Sequence, residues 1–206
     1  MTTFPDNLIL LLSVDIVSSA AFKASSSIEA GRLSWVQAFE AFYQTVPTIL
    51  NREREKLQVS SSFDLWKSIG DQLVFLARPH SASELEQECL AFVRGLRQTN
   101  QEMRRHWGFE LHGVAWAFIE GGDNVTFRFQ APQLSGGTGF DLIGPDVDLG
   151  FRLVSFAPNG DVLTPLTLRS LLPQSVLQTR LIGEVDLKGI DLKPYPLLQL
   201  VEVSSP

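Results

Sequence analysis

The chain has 206 residues, 44% hydrophobic and 19% charged, which fits a globular protein with a sizeable core and excludes a disordered or fibrous one. Its net charge of −6 argues against a general nucleic-acid binder, but not against a single nucleotide whose charge metal ions offset. The lone cysteine, Cys89, excludes an intramolecular disulfide and suits a reducing cytoplasm.

Leu8 to Val17, with Ser13 and Asp15 within it, reads as one continuous apolar run of strand length. Its purely apolar part, Leu8 to Leu12, is too short to span a bilayer, and no Lys or Arg precedes it. A soluble, cytoplasmic chain without a signal peptide is expected. A run apolar on both faces predicts a central strand, with Asp15 at its carboxyl end. Ser18-Ser19-Ala20-Ala21 then leads into a helix, where backbone N–H groups can approach an anion.

From Ser34 to about Arg54, Trp35, Phe39, Phe42, Tyr43, Val46 and Leu50 recur at three- and four-residue steps, predicting a helix. Pro47 is expected to kink or divide it. The aromatic stripe reads as core or subunit interface rather than a ligand box. Leu65-Trp66-Lys67-Ser68-Ile69-Gly70-Asp71-Gln72-Leu73-Val74-Phe75 predicts a hairpin turning at Gly70-Asp71, with a carboxylate at its tip. Pro79 ends its second strand, Ser81 or Ser83 can cap the following helix, and that helix is expected over Ala82 to His106.

Strands are expected at Leu111 to Ile119 and Asn124 to Gln130. The Ser135 to Gly139 tract lacks the lysine of a nucleotide-binding loop and reads as a turn. Gly144-Pro145 opens a helix in which Val147, Phe151 and Val154 form the buried stripe. Asp148 and Arg152 share one face at i,i+4, and taken alone predict an ordinary ion pair. Strands near Val162 to Leu163, Leu181 to Leu187 and Leu197 to Val203 close the chain. The order predicts an α+β fold, ferredoxin-like at its centre, with a mostly antiparallel sheet flanked by helices and one domain over residues 1–206.

Other chemistries lack a foothold. His80, His106 and His112 show no metal-ligand spacing and read as surface or satisfied side chains. Cys89 falls on an apolar helix face, and no Gly-x-Ser-x-Gly elbow is present.

Four segments together resemble the catalytic domain of class III nucleotidyl cyclases. Asp15-Ile16-Val17-Ser18-Ser19 resembles the family's first-strand motif, with Ser18 in place of its glycine and Ala20 in place of its threonine. Lys67-Ser68-Ile69-Gly70-Asp71 matches its Lys-x-x-Gly-Asp hairpin. Asp141 to Asp148 followed by Arg152 is similar to its Asp-x-x-Gly-x-x-Val-Asn-x-x-x-Arg segment, with Asp148 replacing asparagine. Leu187-Lys188-Gly189-Ile190 resembles its Leu-Lys-Gly motif.

The resemblance implies that Asp15, Asp71 and the Ile16 carbonyl hold two divalent cations, Mn²⁺ or Mg²⁺. It implies that N–H groups from Val17, Ser18 and Ser19 to Phe22 hold phosphates, with Lys188 reaching them too. Arg152 would stabilise charge on the α-phosphate, and Asp148 would orient the ribose. Lys67 and Asp141 match the base-selecting positions of adenylate cyclases, which points to ATP. The wider pattern, Trp66 and Gly150-Phe151-Arg152 included, resembles the compact pyrimidine cyclases of bacterial antiphage (Pycsar) systems. That branch implies UTP, favoured, or CTP as substrate, a homodimer with composite sites, and a cyclic nucleotide that activates a separate effector protein. A cyclase homologue that binds nucleotide without turnover is the non-enzymatic alternative.

Overall fold

The computed structural model describes residues 4–29, 33–60, 62–130 and 138–203. The sheet is built on β1 (Leu8–Ile16), flanked on one side by β3 (Gln72–Ala77) and on the other by β4 (Leu111–Ile119), both antiparallel to it. Leu8 to Leu12 and Val14 are buried on both faces, which is why the run shows no alternation. Full burial of a Leu or Ile side chain contributes about 1.5–3 kcal/mol, so this strand anchors much of the core.

Seven strands follow the order β2–β3–β1–β4–β7–β9–β8, with β2 at Asp64–Ile69, β7 at Val162–Thr164, β8 at Leu177–Val185 and β9 at Tyr195–Glu202. Among the described residues only β4 and β7 pair in parallel, so the sheet is mostly antiparallel, as the sequence predicts. On one face, Leu8, Leu10, Leu12, Val14 and Ile16 pack with Phe39 and Phe42 of α2 (Leu33–Lys56) and Cys89 and Phe92 of α3 (Ala82–Trp107). On the other, Ile9 and Leu11 pack with Trp116 and with Val147 and Leu153 of α4 (Pro145–Leu153). Alternation along β1 therefore turns Asp15 towards α4.

α2 runs unbroken through Pro47, contrary to the expected division. Proline forfeits one helical hydrogen bond there, but Phe42, Val46 and Leu50 are buried in the core on either side of it, and that packing holds the helix together. Ser81 caps α3 by accepting from the Glu84 N–H at 3.1 Å. Cys89 is core as expected; burial, with the charges of Glu88 and Glu86 behind it, pushes its thiol well above the usual range.

The helix expected behind Ser18 is present, while two further elements were not anticipated. α1 (Ser19–Glu29) begins directly behind Ser18, and a short α5 (Leu166–Leu171) follows β7. β6 (Thr138–Ile143) pairs with β5 (Val125–Gln130) in a separate two-stranded hairpin. Of the glycine tract read as a turn, residues 135–137 lie outside the described residues, while Thr138 and Gly139 begin β6. Among the described residues no helix is long and apolar enough to cross a membrane.

Candidate active site

The hairpin of β2 and β3 turns at Gly70-Asp71, and Gly70 alone takes the left-handed conformation, at φ 65°. The Ile16 N–H donates to the Asp71 carbonyl at 3.2 Å, and Asp15 pairs in register with Gln72. These contacts bring Asp15 and Asp71 to one end of the sheet. The Tyr43 hydroxyl donates to the Gly70 carbonyl at 2.6 Å, tying the turn to α2. Among the described residues no three His, Cys, Asp or Glu side chains converge into a ready-made metal cluster.

His112 on β4 is the direct cross-strand partner of Asp15. Its Nε2 lies 3.2 Å from Asp15 Oδ2, and its Nδ1 lies 2.9 Å from the Ala157 carbonyl oxygen, just beyond α4. The side chain is a satisfied one, as read from the sequence, but it is bonded to a candidate site residue. Nothing local in the sequence marks it. Only the β1–β4 register brings it to Asp15.

Where phosphate-binding N–H groups were expected, the structure divides them. Val17 N–H donates to the Glu110 carbonyl at 2.9 Å and Phe22 N–H to the Ser18 carbonyl at 3.1 Å, so neither points outward. That corrects the assignment at both residues. The N–H groups of Ser19, Ala20 and Ala21 lie in the first turn of α1, where a helix has no acceptor of its own to offer. Ser18, which stands where the resembled motif has glycine, adopts φ 53°, a conformation that favours glycine.

A second cluster forms around β2. The β2–β3 register shifts between Leu65 and Lys67, which makes Trp66 the extra residue of a bulge. The Lys67 Nζ then stands 4.4 Å from the centroid of the Trp66 ring, and Lys67 also forms an ion pair with Asp141 of β6. The Trp66 ring lies 6.3 Å from Phe151 of α4, which meets Trp116 of β4 edge-on at 5.4 Å. Aromatic packing thus links the Lys67–Asp141 pair to the helix that carries Asp148 and Arg152.

Asp148 and Arg152 make no ion pair with one another, correcting the simplest reading of their spacing. Arg152 Nη1 donates instead to the Lys188 carbonyl, in the loop between β8 and β9. Lys188 thereby contributes its backbone, while its exposed side chain faces solvent. The buried residues of α4 are Val147, Leu149, Gly150 and Leu153; Phe151 is only half-buried. Gly150 sits against the Trp116 indole so closely that a Cβ there would lie 2.1 Å from Cε2. Large apolar side chains are exposed nearby, including Leu65 and Ile69 of β2, Phe127 and Phe129 of β5 and Ile143 of β6.

No protein-family model matches the chain. No curated protein matches it either. Solved structures match over nearly the whole length. The adenylyl cyclase CyaB from P. aeruginosa is 19% identical, with 96% of this chain and 95% of that chain covered at a TM-score of 0.65. An adenylate cyclase from Trypanosoma brucei, in its monomeric state, is 15% identical over 97% of this chain and 90% of that one, at a TM-score of 0.66. The guanylate cyclase domain of RhGC from Catenaria anguillulae, in complex with GTP, is 10% identical over 98% of both chains, at a TM-score of 0.60. The chain has the α+β fold of adenylyl and guanylyl cyclase domains.

Proposed function

We propose that the protein is a metal-dependent nucleotidyl cyclase that converts a pyrimidine nucleoside triphosphate, UTP before CTP, into its 3′,5′-cyclic nucleotide and pyrophosphate. The observation that carries this reading is the hydrogen bond from Ile16 N–H to the Asp71 carbonyl, which joins the ends of β1 and the hairpin and gathers two aspartates at one edge of the cyclase-type sheet. Asp15, Asp71 and the Ile16 carbonyl offer hard oxygen donors, a set that suits Mg²⁺ or Mn²⁺. Two such cations would lower the proton affinity of the ribose 3′-hydroxyl and offset the triphosphate charge.

The chain's own groups do the rest. The first-turn N–H groups of Ser19 to Ala21 bind phosphate oxygens. Arg152 presents a planar guanidinium to the α-phosphate, where negative charge grows as the 3′ oxygen bonds to phosphorus and pyrophosphate leaves. Asp148 accepts from a ribose hydroxyl, since a carboxylate cannot donate as an amide does. Lys67 donates to a base carbonyl and Asp141 accepts from a base N–H, the pattern of O4 and N3–H on uracil. The bulk of Trp66 and Phe151 beside that pair favours a single-ring base.

The exposed apolar side chains on β2 and on the β5–β6 hairpin support a homodimer. In it, Asp15 and Asp71 of one subunit face Asp148 and Arg152 of the other. The product would serve as a second messenger read by a separate effector protein in antiphage defence. A second reading has one observation behind it: the Lys67–Asp141 pair equally matches N1 and N6–H of adenine, so ATP is the competing substrate.

Purified protein incubated with each of the four NTPs and Mn²⁺ tests both. Cyclic UMP as the main product supports the proposal. Cyclic AMP alone establishes the adenylate reading, and no cyclic product from any NTP sinks the enzyme.

A further inference from the structure

The contact between His112 and Asp15 sets an imidazole nitrogen beside a candidate metal ligand. His112 is 8% exposed, and its Nδ1 faces the Ala157 carbonyl oxygen at 2.9 Å. A carbonyl only accepts, so Nδ1 donates a ring hydrogen to it. The other ring nitrogen, Nε2, faces Asp15 Oδ2 at 3.2 Å. At that separation Nε2 and Oδ2 can serve one divalent cation as neighbouring ligands.

The geometry points to a cation: we infer that His112 Nε2 joins Asp15 Oδ2 as a ligand of one divalent ion, making this a mixed nitrogen–oxygen site. Adjacent ligands of an octahedral ion with bonds near 2.1 Å lie about 3 Å apart, which the two atoms already satisfy without movement. The Nδ1–H bond to a backbone carbonyl is the arrangement that fixes the tautomer and ring plane of a metal-ligating histidine. The β1–β4 pairing holds both residues on the α4 face of a buried sheet, so the pair is preorganised rather than assembled on binding. No third His, Cys, Asp or Glu side chain forms a cluster with them among the described residues. The remaining positions fall to backbone carbonyl, water and substrate phosphate oxygens.

The consequence is a metal preference. Mg²⁺ binds oxygen donors and gains little from an imidazole, whereas Mn²⁺ and other transition ions accept nitrogen readily. This inference deepens the cyclase reading by naming a further ligand at the same site, yet it can be tested without turnover. The probe is Mn²⁺ alone and Mn²⁺ with 2′,3′-dideoxy-UTP, which lacks the attacking hydroxyl. Pulsed electron paramagnetic resonance of the wild-type protein should show the nitrogen coupling of a directly bound imidazole, changing to the ¹⁵N pattern when histidine is ¹⁵N-labelled. His112→Gln should abolish that coupling and weaken Mn²⁺ binding by about tenfold or more. Mg²⁺ binding, measured by competition, should fall much less.

Wild-type protein that binds Mn²⁺ without nitrogen coupling overturns the inference and assigns the contact to a proton, even if the protein cyclises UTP. Coupling in a protein that forms no cyclic product keeps the inference and sinks the cyclase reading instead. Equal weakening of Mn²⁺ and Mg²⁺ by His112→Gln also overturns it, because that marks a structural role. The wild-type spectrum decides the matter even if the variant folds poorly.

Discussion

The Arg152 guanidinium donates to the main-chain carbonyl of Lys188, fixing an exposed side chain of α4 against the loop between β8 and β9. One arm of the planar fork is committed to the carbonyl, and the other is available for a phosphate oxygen. Arg152→Ala is expected to lower kcat by roughly 10²–10³-fold, the usual cost of losing one preorganised donor to a developing charge. Arg152→Lys should not restore it, because a point-charge ammonium cannot bond the carbonyl and a phosphate in one fixed plane. Steady-state cyclisation by the two variants checks this; near wild-type turnover in the lysine variant would refute it.

If Asp71 and Arg152 serve the same site from different subunits, two dead variants can complement one another. Asp71→Ala and Arg152→Ala, mixed one to one with subunit exchange, should recover about a quarter of wild-type activity, since half the dimers are mixed and each holds one intact site. Activity no higher than either variant alone would place the two residues in one subunit's site. The assay is product formation after mixing, with the dimer mass confirmed by light scattering.

Ser18 takes a left-handed conformation at φ 53° immediately before α1. That costs an L-residue roughly 1–2 kcal/mol, of which glycine's greater freedom in the unfolded chain returns about 0.5–1. Ser18→Gly should therefore raise stability by up to about 1 kcal/mol, read as a modest rise in Tm. A lower Tm would show that the serine hydroxyl contributes more than the strain removes.

Gly150→Ala should do the opposite. The added methyl would overlap the Trp116 indole, which is buried in the core and cannot swing clear. Overpacking of this kind costs about 1–3 kcal/mol, or roughly 2–12 °C in Tm for a chain of this size. Because α4 would be pushed off the sheet with Arg152 on it, kcat should fall together with Tm. An unchanged Tm would contradict the close approach.

Local periodicity made β1, the β2–β3 hairpin, α3, β4 and α4 legible, because each carries its own boundary signal. Examples are Gly70-Asp71 at the turn, Ser81 at the cap and Pro145 at the first helical position. What failed was non-local. The spacing of Asp148 and Arg152 suggested a local pair, while the partner of Arg152 is a backbone carbonyl 36 residues away. Pro47 signalled a break that core packing on both sides of it overrides. His112 looked inert because its importance lies in which residue of β1 it faces, and register between distant strands is not written in either segment. The same holds for Trp66, whose contact with Lys67 depends on a bulge.

A last prediction concerns acid. Glu86 on α3 accepts from the Ser175 hydroxyl and from the N–H groups of Ser175, Val176 and Leu177, at 2.7, 3.0 and 3.2 Å for the three amides, holding the start of β8 against the helix. Burial pushes its carboxyl up, but the hydrogen bonds from the Ser175 hydroxyl and the three amides outweigh this and hold it below the usual glutamate value. A carboxyl lowered in the folded state binds its proton more readily when unfolded, so its stabilisation is complete above the unfolded value, about 4.3, and is lost as pH falls through the folded one. Urea midpoints should therefore drop as pH falls from about 5 to 3. Glu86→Gln should cost about 1–3 kcal/mol at neutral pH, because the amide brings a donor towards the hydroxyl and N–H donors that the carboxylate accepts from. It should also flatten part of the acid slope and leave the share due to Glu202 and Glu120, which are likewise lowered, by their bonds from Arg94 and Thr126. An acid slope identical to wild type in Glu86→Gln would show that this carboxylate is not linked to folding.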